Sequence, residues 1–401
     1  MSNFRHIVFG LLLACGVGLA VPAPAEAQTA ADLFNDQVLH EVRLLMNSRD
    51  FAQMRARYQE NIYFPADMIW NGIRVRNVGV RNRGTGSRNP MKMGLRLDFN
   101  RYAKQQTFLG LTSIVLDNEW QDASLMREAL AMSIYRRMGL PAPRESFAKF
   151  YINNEYQGVY AMVEPIDTLF TKRTLNDSTG YLYEYRYVMP FFTEYLGDDV
   201  AAYKPLFQPQ THELEGNSVL YGPIRDMFRE INGPDDAVWR ERVEDRIDLR
   251  NFMTHAAVQA FLAENDGLLG YAGLNNFYVF RPANTNTHRL LPWDEDFAFS
   301  FVTSSLLRRG EQPVILFERC FAQPDLRALF LDINEDLAHS LIESGWLSAE
   351  LDRLEALVGP AILADTRKQF SNEAFAESVA FLRDFATNRA FYVLSEIPTL
   401  R

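Results

Sequence analysis

The chain has 401 residues, with 41 Lys and Arg against 51 Asp and Glu, a net charge of −10, and 47% hydrophobic residues. This composition is typical of a folded globular protein and excludes an intrinsically disordered chain. The acidic balance argues against a nucleic-acid partner, because binding a phosphate backbone needs a basic surface. With only Cys15 and Cys320, neither a disulfide framework nor a cysteine zinc site is possible.

The first 27 residues have the pattern of an export signal. Arg5 and His6 precede an apolar run over residues 7–21, and Ala25-Glu26-Ala27 has the small-residue pattern of a cleavage site. Cleavage there would leave a chain that begins at Gln28 and has no transmembrane span. We therefore expect an exported protein, periplasmic or secreted. A retained membrane anchor and a lipid on Cys15 are the alternatives.

The chain from 36 to 165 has the pattern of an antiparallel sheet with one or two helices. Residues 50–59 have helical spacing, and strands follow on either side of an Asn71-Gly72 hairpin turn. The alternation of apolar and polar residues slips by one position between Val75 and Val78, which predicts a β-bulge. These residues are expected to form the first lobe.

The remainder of the chain, from 166 to 401, is predicted to be a mainly helical second lobe. One hairpin interrupts it, with strands at residues 276–281 and 289–292. Residues 189–217 lack periodicity and are expected to be an insertion or a lid. Helices are predicted at 125–138 in the first lobe and, in the second lobe, at 219–231, 237–243, 251–264, 326–341, 347–357 and 373–397.

Acidic and carboxamide residues flank the interrupting hairpin. Asp266 follows a predicted helix, Asn276 begins the first strand, and Asp294 and Asp296 follow the second. Because a hairpin brings its two ends together, Asn276 and Asp294 should be neighbours. Hard oxygen ligands of this kind suit Mg²⁺, which takes a few carboxylates and leaves positions for phosphate oxygens. Protein kinases arrange a catalytic Asp, a metal-binding Asn, a hairpin and a metal-binding Asp in the same order.

The chain resembles the CotH kinase family, the spore-coat-type atypical protein kinases. The resemblance implies a divergent two-lobed α+β kinase-like fold over residues 28–401, with ATP and Mg²⁺ or Mn²⁺ as cofactors. It also implies a protein substrate phosphorylated on Ser or Thr. The matching motifs are Arg81-Asn-Arg-Gly-Thr-Gly-Ser87 with Lys92; Leu116-Asp-Asn118 with Arg127-Glu128; Asn153-Asn-Glu-Tyr-Gln-Gly158-Val-Tyr160 with Glu164; and Asn265-Asp266 with Trp293-Asp294-Glu-Asp296.

The resemblance gives each of these residues an expected role. Asp266 would be the general base that orients the acceptor hydroxyl. Asn276 and at least one of the two following aspartates would bind the metal ion, and both aspartates should point to one face of an extended segment. The remaining roles concern ATP: Lys92 or Arg83 would contact its phosphates, Glu128 would pair with the lysine, and Glu164 would mark the crossing between the lobes.

Two other functions remain open at this stage. A catalytically inactive relative could assemble a surface or envelope structure, and the scarcity of ATP outside the cytoplasm favours that alternative. A glycosidase could use Asp294 and Asp296 as a carboxylate pair. That reaction needs two carboxyl groups flanking the scissile bond, whereas residues on one face of one strand would approach the sugar from a single side.

Overall fold

A computed structural model describes residues 28–235, 237–307, 310 and 312–401. The predicted export signal at residues 1–27 lies outside the described residues. Among the helices that are described, none combines the length and the apolar character needed to cross a membrane. The predicted two-lobed α+β architecture is confirmed, with a strand-rich first lobe and a mainly helical second lobe.

Seven strands of the first lobe close into a barrel, with the strand order β1-β2-β3-β4-β5-β7-β6. Neighbouring strands are antiparallel except β1 and β6, whose parallel pairing closes the barrel. The predicted antiparallel sheet is therefore closed rather than open. The elements are α1 (Ala30–Leu33), β1 (Leu39–Met46), α2 (Ser48–Ala56), β2 (Phe64–Trp70), β3 (Ile73–Asn82), β4 (Leu95–Asp98), β5 (Ser113–Asp117), α3 (Arg127–Arg137), β6 (Glu145–Ile152) and β7 (Glu155–Val163).

The turn and the bulge predicted in the barrel are both present. Asn71 and Gly72 join β2 to β3 with φ angles of 47° and 78°, the left-handed conformation that a two-residue hairpin turn requires. The register of β2 against β3 shifts between Ala66 and Met68, and Asn77 there also has a positive φ of 55°. A bulge of this kind increases strand twist, which helps the sheet to close.

The second lobe contains a four-stranded sheet and the long helices. The sheet order is β11-β10-β8-β9, and all of its pairs are antiparallel. The elements are α4 (Thr168–Leu175), β8 (Tyr181–Tyr185), a 3₁₀ turn (Val200–Tyr203), β9 (Phe207–Pro209), α5 (Asn217–Ile231), α6 (Trp239–Glu244), α7 (Leu249–Leu262), β10 (Phe277–Arg281), β11 (Arg289–Pro292), α8 (Ile315–Phe321), α9 (Pro324–Ser344), α10 (Trp346–Leu363) and α11 (Asn372–Leu400).

Residues 189–217, predicted as an insertion or lid, contain a 3₁₀ turn and the short strand β9. Strand β9 pairs with β8 at the edge of the second sheet, and Tyr203 and Phe207 are buried in the core. Two short helices, α4 and α8, were not predicted at all, because seven or eight residues give too few turns for the apolar spacing to be visible.

Helix α3 belongs to the first lobe in the chain but to the second lobe in packing. Its apolar residues Met126, Leu130 and Ile134 are buried in the large core formed by the helices. The barrel has a separate core of its own. Helix α3 therefore packs with the second lobe, and Glu128 in its first turn is buried.

Candidate active site

A cavity of about 350 Å³ lies between the lobes. Its wall is built from the loop after β3, the ends of β5 and β8, the loop between α7 and β10, and the residues that follow β11. Five of the eight residues predicted from the sequence line it: Arg83, Asp266, Asn276, Asp294 and Asp296. The other three, Lys92, Glu128 and Glu164, are not part of its lining.

The hairpin β10–β11 brings the two predicted metal-binding segments together. Phe277 pairs with Pro292, so Asn276 and Trp293 are the next residues along the two strands. Asn276 and Asp294 have φ angles of 58° and 60°, the left-handed conformation that Asn and Asp adopt more readily than other residues with a side chain. The chain leaves the hairpin at these two residues, and both line the cavity.

Asp266 is held by hydrogen bonds from both sides. The amides of Asn275 and Asn276 donate to Oδ2 of Asp266 over 3.0 Å and 3.3 Å. The backbone N–H of Asp266 donates to Glu264 Oε1 over 2.6 Å. Burial raises the pKa of Asp266, and the two amide hydrogen bonds oppose that rise. Asp266 is therefore a fixed carboxylate at the cavity wall.

The aspartates after β11 are crowded by other carboxylates. Burial, followed by repulsion from Asp117 and Asp266, raises the pKa of Asp294 to about 7, although Arg83 opposes the shift. Burial and the neighbouring Asp294 raise the pKa of Asp296 well above its usual value. A cation in the cavity would relieve this repulsion.

The donor set fits a magnesium ion. Asn276, Asp294 and Asp296 offer one carboxamide and two carboxylate groups, the oxygen ligands that Mg²⁺ prefers while keeping waters and phosphate oxygens. Over the part of the chain that the structure describes, no group of three or more His, Cys, Asp and Glu side chains is arranged to hold a metal by itself.

Arg83 is a buried cation in the cavity wall. Its guanidinium forms an ion pair with Asp117 and lies 5.7 Å from the centre of the Trp293 ring. Burial alone would lower the pKa of Arg83, but Asp117, Asp294 and Glu128 raise it. Arg83 thus stays charged next to the predicted metal ligands, where a phosphate group would need a counter-charge.

Lys92 has a different partner from the one predicted. Its Nζ lies 2.9 Å from Oδ2 of Asp365, which belongs to the connection between α10 and α11. Both side chains are buried, and Gly158 leaves room for Asp365, because a Cβ at that position would collide with the carboxylate. The Lys92–Glu128 pair predicted from the sequence is thus replaced by an ion pair with a residue from the far end of the chain.

Glu128 lies in a group of buried carboxylates. Burial, then repulsion from Glu145, Asp294 and Glu119, raises the pKa of Glu128 well above its usual value. Glu145 belongs to β6, and burial raises its pKa to about 8. Both shifts favour the protonated acid, whereas pairing with a lysine would favour the ionised glutamate.

Glu164 is held by two arginines. Its carboxylate accepts hydrogen bonds from the Arg144 guanidinium over 2.8 Å and 3.1 Å, and from Arg173 over 2.5 Å and 3.0 Å. The next residue, Pro165, lines the cavity. Glu164 thus lies between the last strand of the barrel and α4, and both of its oxygens are already occupied by protein groups.

Gln259 and Glu295 form a brace behind the cavity that sequence reasoning missed. Gln259 Nε2 donates to Glu295 Oε1 over 2.8 Å, and Gln259 Oε1 accepts the backbone N–H of Leu268 over 2.6 Å. The Tyr135 hydroxyl donates to the same Glu295 oxygen over 2.9 Å. The brace joins the loop of Asp266 to the segment of Asp294. An isolated glutamine within an apolar helix gave no signal of this role.

Four arginines line the outer part of the cavity: Arg81, Arg88, Arg96 and Arg186. Their place in the cavity was not predicted from the sequence. None of them forms an ion pair with another described residue. Arg81 on β3 and Arg96 on β4 alternate with apolar residues, and this alternation could have indicated their position.

Two lobes with a carboxylate, a carboxamide and an aspartate pair in the cavity between them define a kinase-like protein. The family model described as CotH kinase protein matches residues 80–393. That match spans more than half of the chain, which therefore belongs to the CotH kinase family. The resemblance stated from the sequence is confirmed.

One relative and one solved structure illustrate the similarity. The chain is 21% identical over 373 residues to inner spore coat protein H of Bacillus subtilis (strain 168), an alignment that covers 91% of this chain and 99% of that protein. The crystal structure of the proinflammatory kinase CtkA of Helicobacter pylori has 9% identity and a TM-score of 0.35, with coverage of 80% of this chain and 95% of that chain. The family assignment rests on the sequence match.

Proposed function

We propose that the protein is an exported kinase that transfers the γ-phosphoryl group of ATP to a Ser or Thr hydroxyl of a protein, with Mg²⁺ or Mn²⁺. One observation carries the proposal: Asp266, held by Asn275 and Asn276, lines the same cavity as Asp294 and Asp296. A fixed base beside a set of oxygen ligands is the arrangement that phosphoryl transfer needs.

The nucleotide phosphates would lie between the carboxylates and Arg83. Asn276, Asp294 and Asp296 would hold the metal ion, which supplies neutralisation of phosphate charge when it is bound. Arg83, next to Asp294, would add a fixed positive charge on the other side of the phosphates. Because these groups are already oriented, most of the catalysis would come from positioning and electrostatic stabilisation.

Asp266 would act on the acceptor. Its carboxylate takes the proton of the acceptor hydroxyl while the hydroxyl oxygen forms a bond to the γ-phosphorus and the bond to the ADP oxygen breaks. The amides of Asn275 and Asn276 keep one carboxylate oxygen fixed. The other oxygen accepts no hydrogen bond from the described residues, which leaves it for the acceptor.

A catalytically inactive assembly protein is the second candidate. The relative is named inner spore coat protein H, a name that describes a coat component, and the alignment covers nearly all of that protein. Such a protein would bind ATP without transferring phosphate. The retained Asp266, Asn276 and Asp294 favour the enzyme.

Export is part of the proposal and rests on the pattern of residues 1–27. Mass spectrometry of the secreted or periplasmic protein should give an N-terminus at Gln28. A retained Met1, or a lipid on Cys15, would show an anchored protein instead.

The decisive test compares Asp266→Asn with the wild type. Purified residues 28–401 are incubated with radiolabelled ATP, Mg²⁺ or Mn²⁺, and the proteins exported by the same cells. We expect Asp266→Asn to lower phosphoryl transfer by about 10²–10⁴-fold, since it keeps the shape of the side chain and removes the base. Asp336→Asn, at an exposed position on α9 with no ion pair among the described residues, is the matched control. If Asp266→Asn keeps the turnover of the wild type, Asp266 is not the general base.

A further inference from the structure

A short exposed segment forms one edge of the cavity opening. Residues 186–190, with the sequence Arg-Tyr-Val-Met-Pro, follow strand β8 and are all exposed; we call this segment the lip. Tyr187 and Val188 are 43% and 56% exposed and line the cavity, and Met189 beside them is 44% exposed. Adjacent exposed apolar side chains at a cavity mark an interaction surface more often than isolated ones do.

The lip is fixed at both ends. Before it, the Tyr185 ring stacks on Phe277 with centroids 4.6 Å apart. After it, Phe191 and Phe192 are buried in the core. Its exposed side chains are therefore presented by an anchored backbone, so a partner that binds them pays little ordering cost.

The lip and the proposed base line the same cavity. Glu184 of β8 pairs with Tyr278 of β10, and the Tyr185 ring stacks on Phe277, so the ends of the two strands lie side by side. Arg186 directly follows β8, and Asn276, whose amide donates to Asp266, directly precedes β10. Arg186, Asn276 and Asp266 all line the cavity.

The lip carries one arginine without an ion pair among the described residues. Arg186 forms no ion pair with any described residue, and its guanidinium donates to Gln208 Oε1 over 3.1 Å. Across the cavity, Arg81 and Arg88 likewise lack a carboxylate partner within the described ranges. Repulsion from Arg81, Arg83 and Arg186 adds to burial in lowering the pKa of Arg88, so these cations are close enough to repel one another. In a chain of net charge −10, this grouping is a site for a negative partner.

We propose that the lip binds the acceptor protein, through a segment that carries an acidic residue and an apolar residue close to its Ser or Thr. The acidic side chain pairs with Arg186, and the apolar side chain packs on Tyr187 and Val188. This inference rests on the proposed function, because it names the class of acceptor for the same site. In an extended segment, successive residues are about 3.3 Å apart, so neighbours of the acceptor residue reach the lip while its hydroxyl lies at Asp266.

The nucleotide is a poorer occupant of the lip than the acceptor. Arg83 already supplies a cation next to Asp294 and Asp117 in the inner cavity, where the phosphates are expected. The lip combines an exposed arginine with exposed apolar side chains, a combination that matches a peptide and not a triphosphate. A basic acceptor would be repelled by Arg186, Arg81 and Arg88.

The test measures peptide binding without nucleotide, so it does not depend on catalysis. Three fluorescent peptides share a central Ser and differ in the flanking residues: Glu with Leu, Lys with Leu, and Glu with Gly. Anisotropy is measured with residues 28–401 and with the variants Arg186→Gln and Val188→Asn. Arg250→Gln is the matched control, because Arg250 is exposed on α7 and also lacks an ion pair among the described residues.

We expect the Glu–Leu peptide to bind at least tenfold more tightly than the Lys–Leu peptide and several-fold more tightly than the Glu–Gly peptide. Arg186→Gln should weaken the Glu–Leu peptide about tenfold and remove its advantage over Lys–Leu, whereas Val188→Asn should remove the advantage of Leu over Gly. Circular dichroism checks that both variants are folded.

Equal binding of the acidic and basic peptides would overturn the inference, and so would unchanged binding in both lip variants. It would also be overturned if calorimetry showed that Arg186→Gln loses as much affinity for ATP–Mg²⁺ as for the peptide. That last result would assign Arg186 to the nucleotide. If the protein shows the expected peptide preference but transfers no phosphate, the acceptor site at the lip is supported and the kinase proposal is contradicted. If it transfers phosphate without the peptide preference, the kinase proposal is supported and the acceptor site at the lip is contradicted.

Discussion

Lys92 and Asp365 form a buried ion pair, with Nζ 2.9 Å from Oδ2, that joins the barrel to the connection between α10 and α11. Asp365 also accepts the backbone N–H groups of Val159 and Arg367, over 3.1 Å and 2.8 Å. The guanidinium of Arg367 in turn donates to the carbonyl of Met91, the neighbour of Lys92, over 3.2 Å. The C-terminal part of the chain therefore holds the segment that leads from the cavity loop back into the barrel.

Breaking this pair should be costly. Asp365→Asn leaves a lysine buried without a countercharge, and we expect the free energy of unfolding to fall by about 3–5 kcal/mol. Urea denaturation measures the change. The control is Asp352→Asn, which removes an exposed partner of Arg383 and should cost about 0–1 kcal/mol. Equal effects of the two substitutions would contradict a structural role for the buried pair.

Metal-dependent nucleotide binding should depend more on Asp294 than on Asp296. Asp294 follows Trp293 directly, and its left-handed backbone fixes its direction at the hairpin end. We expect Asp294→Ala to weaken ATP–Mg²⁺ binding by about tenfold or more, and Asp296→Ala to weaken it less. Calorimetry with ATP and Mg²⁺ measures both. If each variant binds as tightly as the wild type, the metal assignment is wrong.

The brace behind the cavity should affect turnover more than nucleotide affinity. Gln259→Leu removes two hydrogen bonds, to Glu295 and to Leu268, and frees the loop of Asp266 to move relative to Asp294. We expect kcat to fall by about 10–100-fold, because small displacements of a catalytic group are costly, with a smaller change in KM for ATP.

A stability control accompanies the brace variant. Asn334→Leu replaces another buried amide, on α9 and outside the cavity lining. It should lower the free energy of unfolding by a comparable amount, about 1–3 kcal/mol, and leave kcat unchanged. If both variants lose turnover equally, the effect of Gln259 is one of general stability.

Glu145 should make the protein less stable as the pH rises. Its pKa is about 8 in the folded protein, raised chiefly by burial, and near its ordinary value of 4.5 in the unfolded chain. The folded state therefore holds the proton more tightly. The stabilisation that this proton gives the folded state is complete below about pH 4.5 and is lost progressively as the pH rises to about 8. Glu145→Gln mimics the protonated acid, so the variant should exceed the wild type in stability at pH 8, by an amount that shrinks towards pH 5.

Urea denaturation at pH 5, 6.5 and 8 measures this difference. The matched control is Glu213→Gln, which removes the same charge from an exposed position with no ion pair among the described residues. A constant difference between Glu145→Gln and the wild type at all three pH values would show that Glu145 is not held as the neutral acid.

Local patterns predicted the parts of the site that depend on neighbours in the sequence. The spacing between Asn276 and Asp294 is that of a hairpin, and strands joined by a short turn have few ways to pair. The roles of Asp266, Asn276, Asp294 and Asp296 stay predictions until the variants are measured. The proximity of Asn276 to Asp294 followed from the hairpin, whereas Asp266 was assigned to the same site by the order of residues shared with protein kinases.

Contacts between distant parts of the chain were beyond these patterns. Nothing in the local sequence of Lys92 points to Asp365, because the ion pair depends on how the last helices pack against the barrel. The same is true of Glu164, whose partners Arg144 and Arg173 come from different elements. Side chains that bind each other across the fold have no fixed spacing, so a sequence reading assigns them to the wrong neighbour.

The parallel pairing of β1 with β6 has a consequence for the order in which the chain can fold. The sheet of β1 to β5 keeps two open edges until both β6 and β7 are made, because β6 pairs with β1 and β7 pairs with β5. Contacts so far apart in sequence slow folding, and open strand edges invite pairing with other chains. A nascent chain that stops short of residue 163, the end of β7, is therefore the species most exposed to aggregation, and a chaperone that covers sheet edges would matter most at that stage.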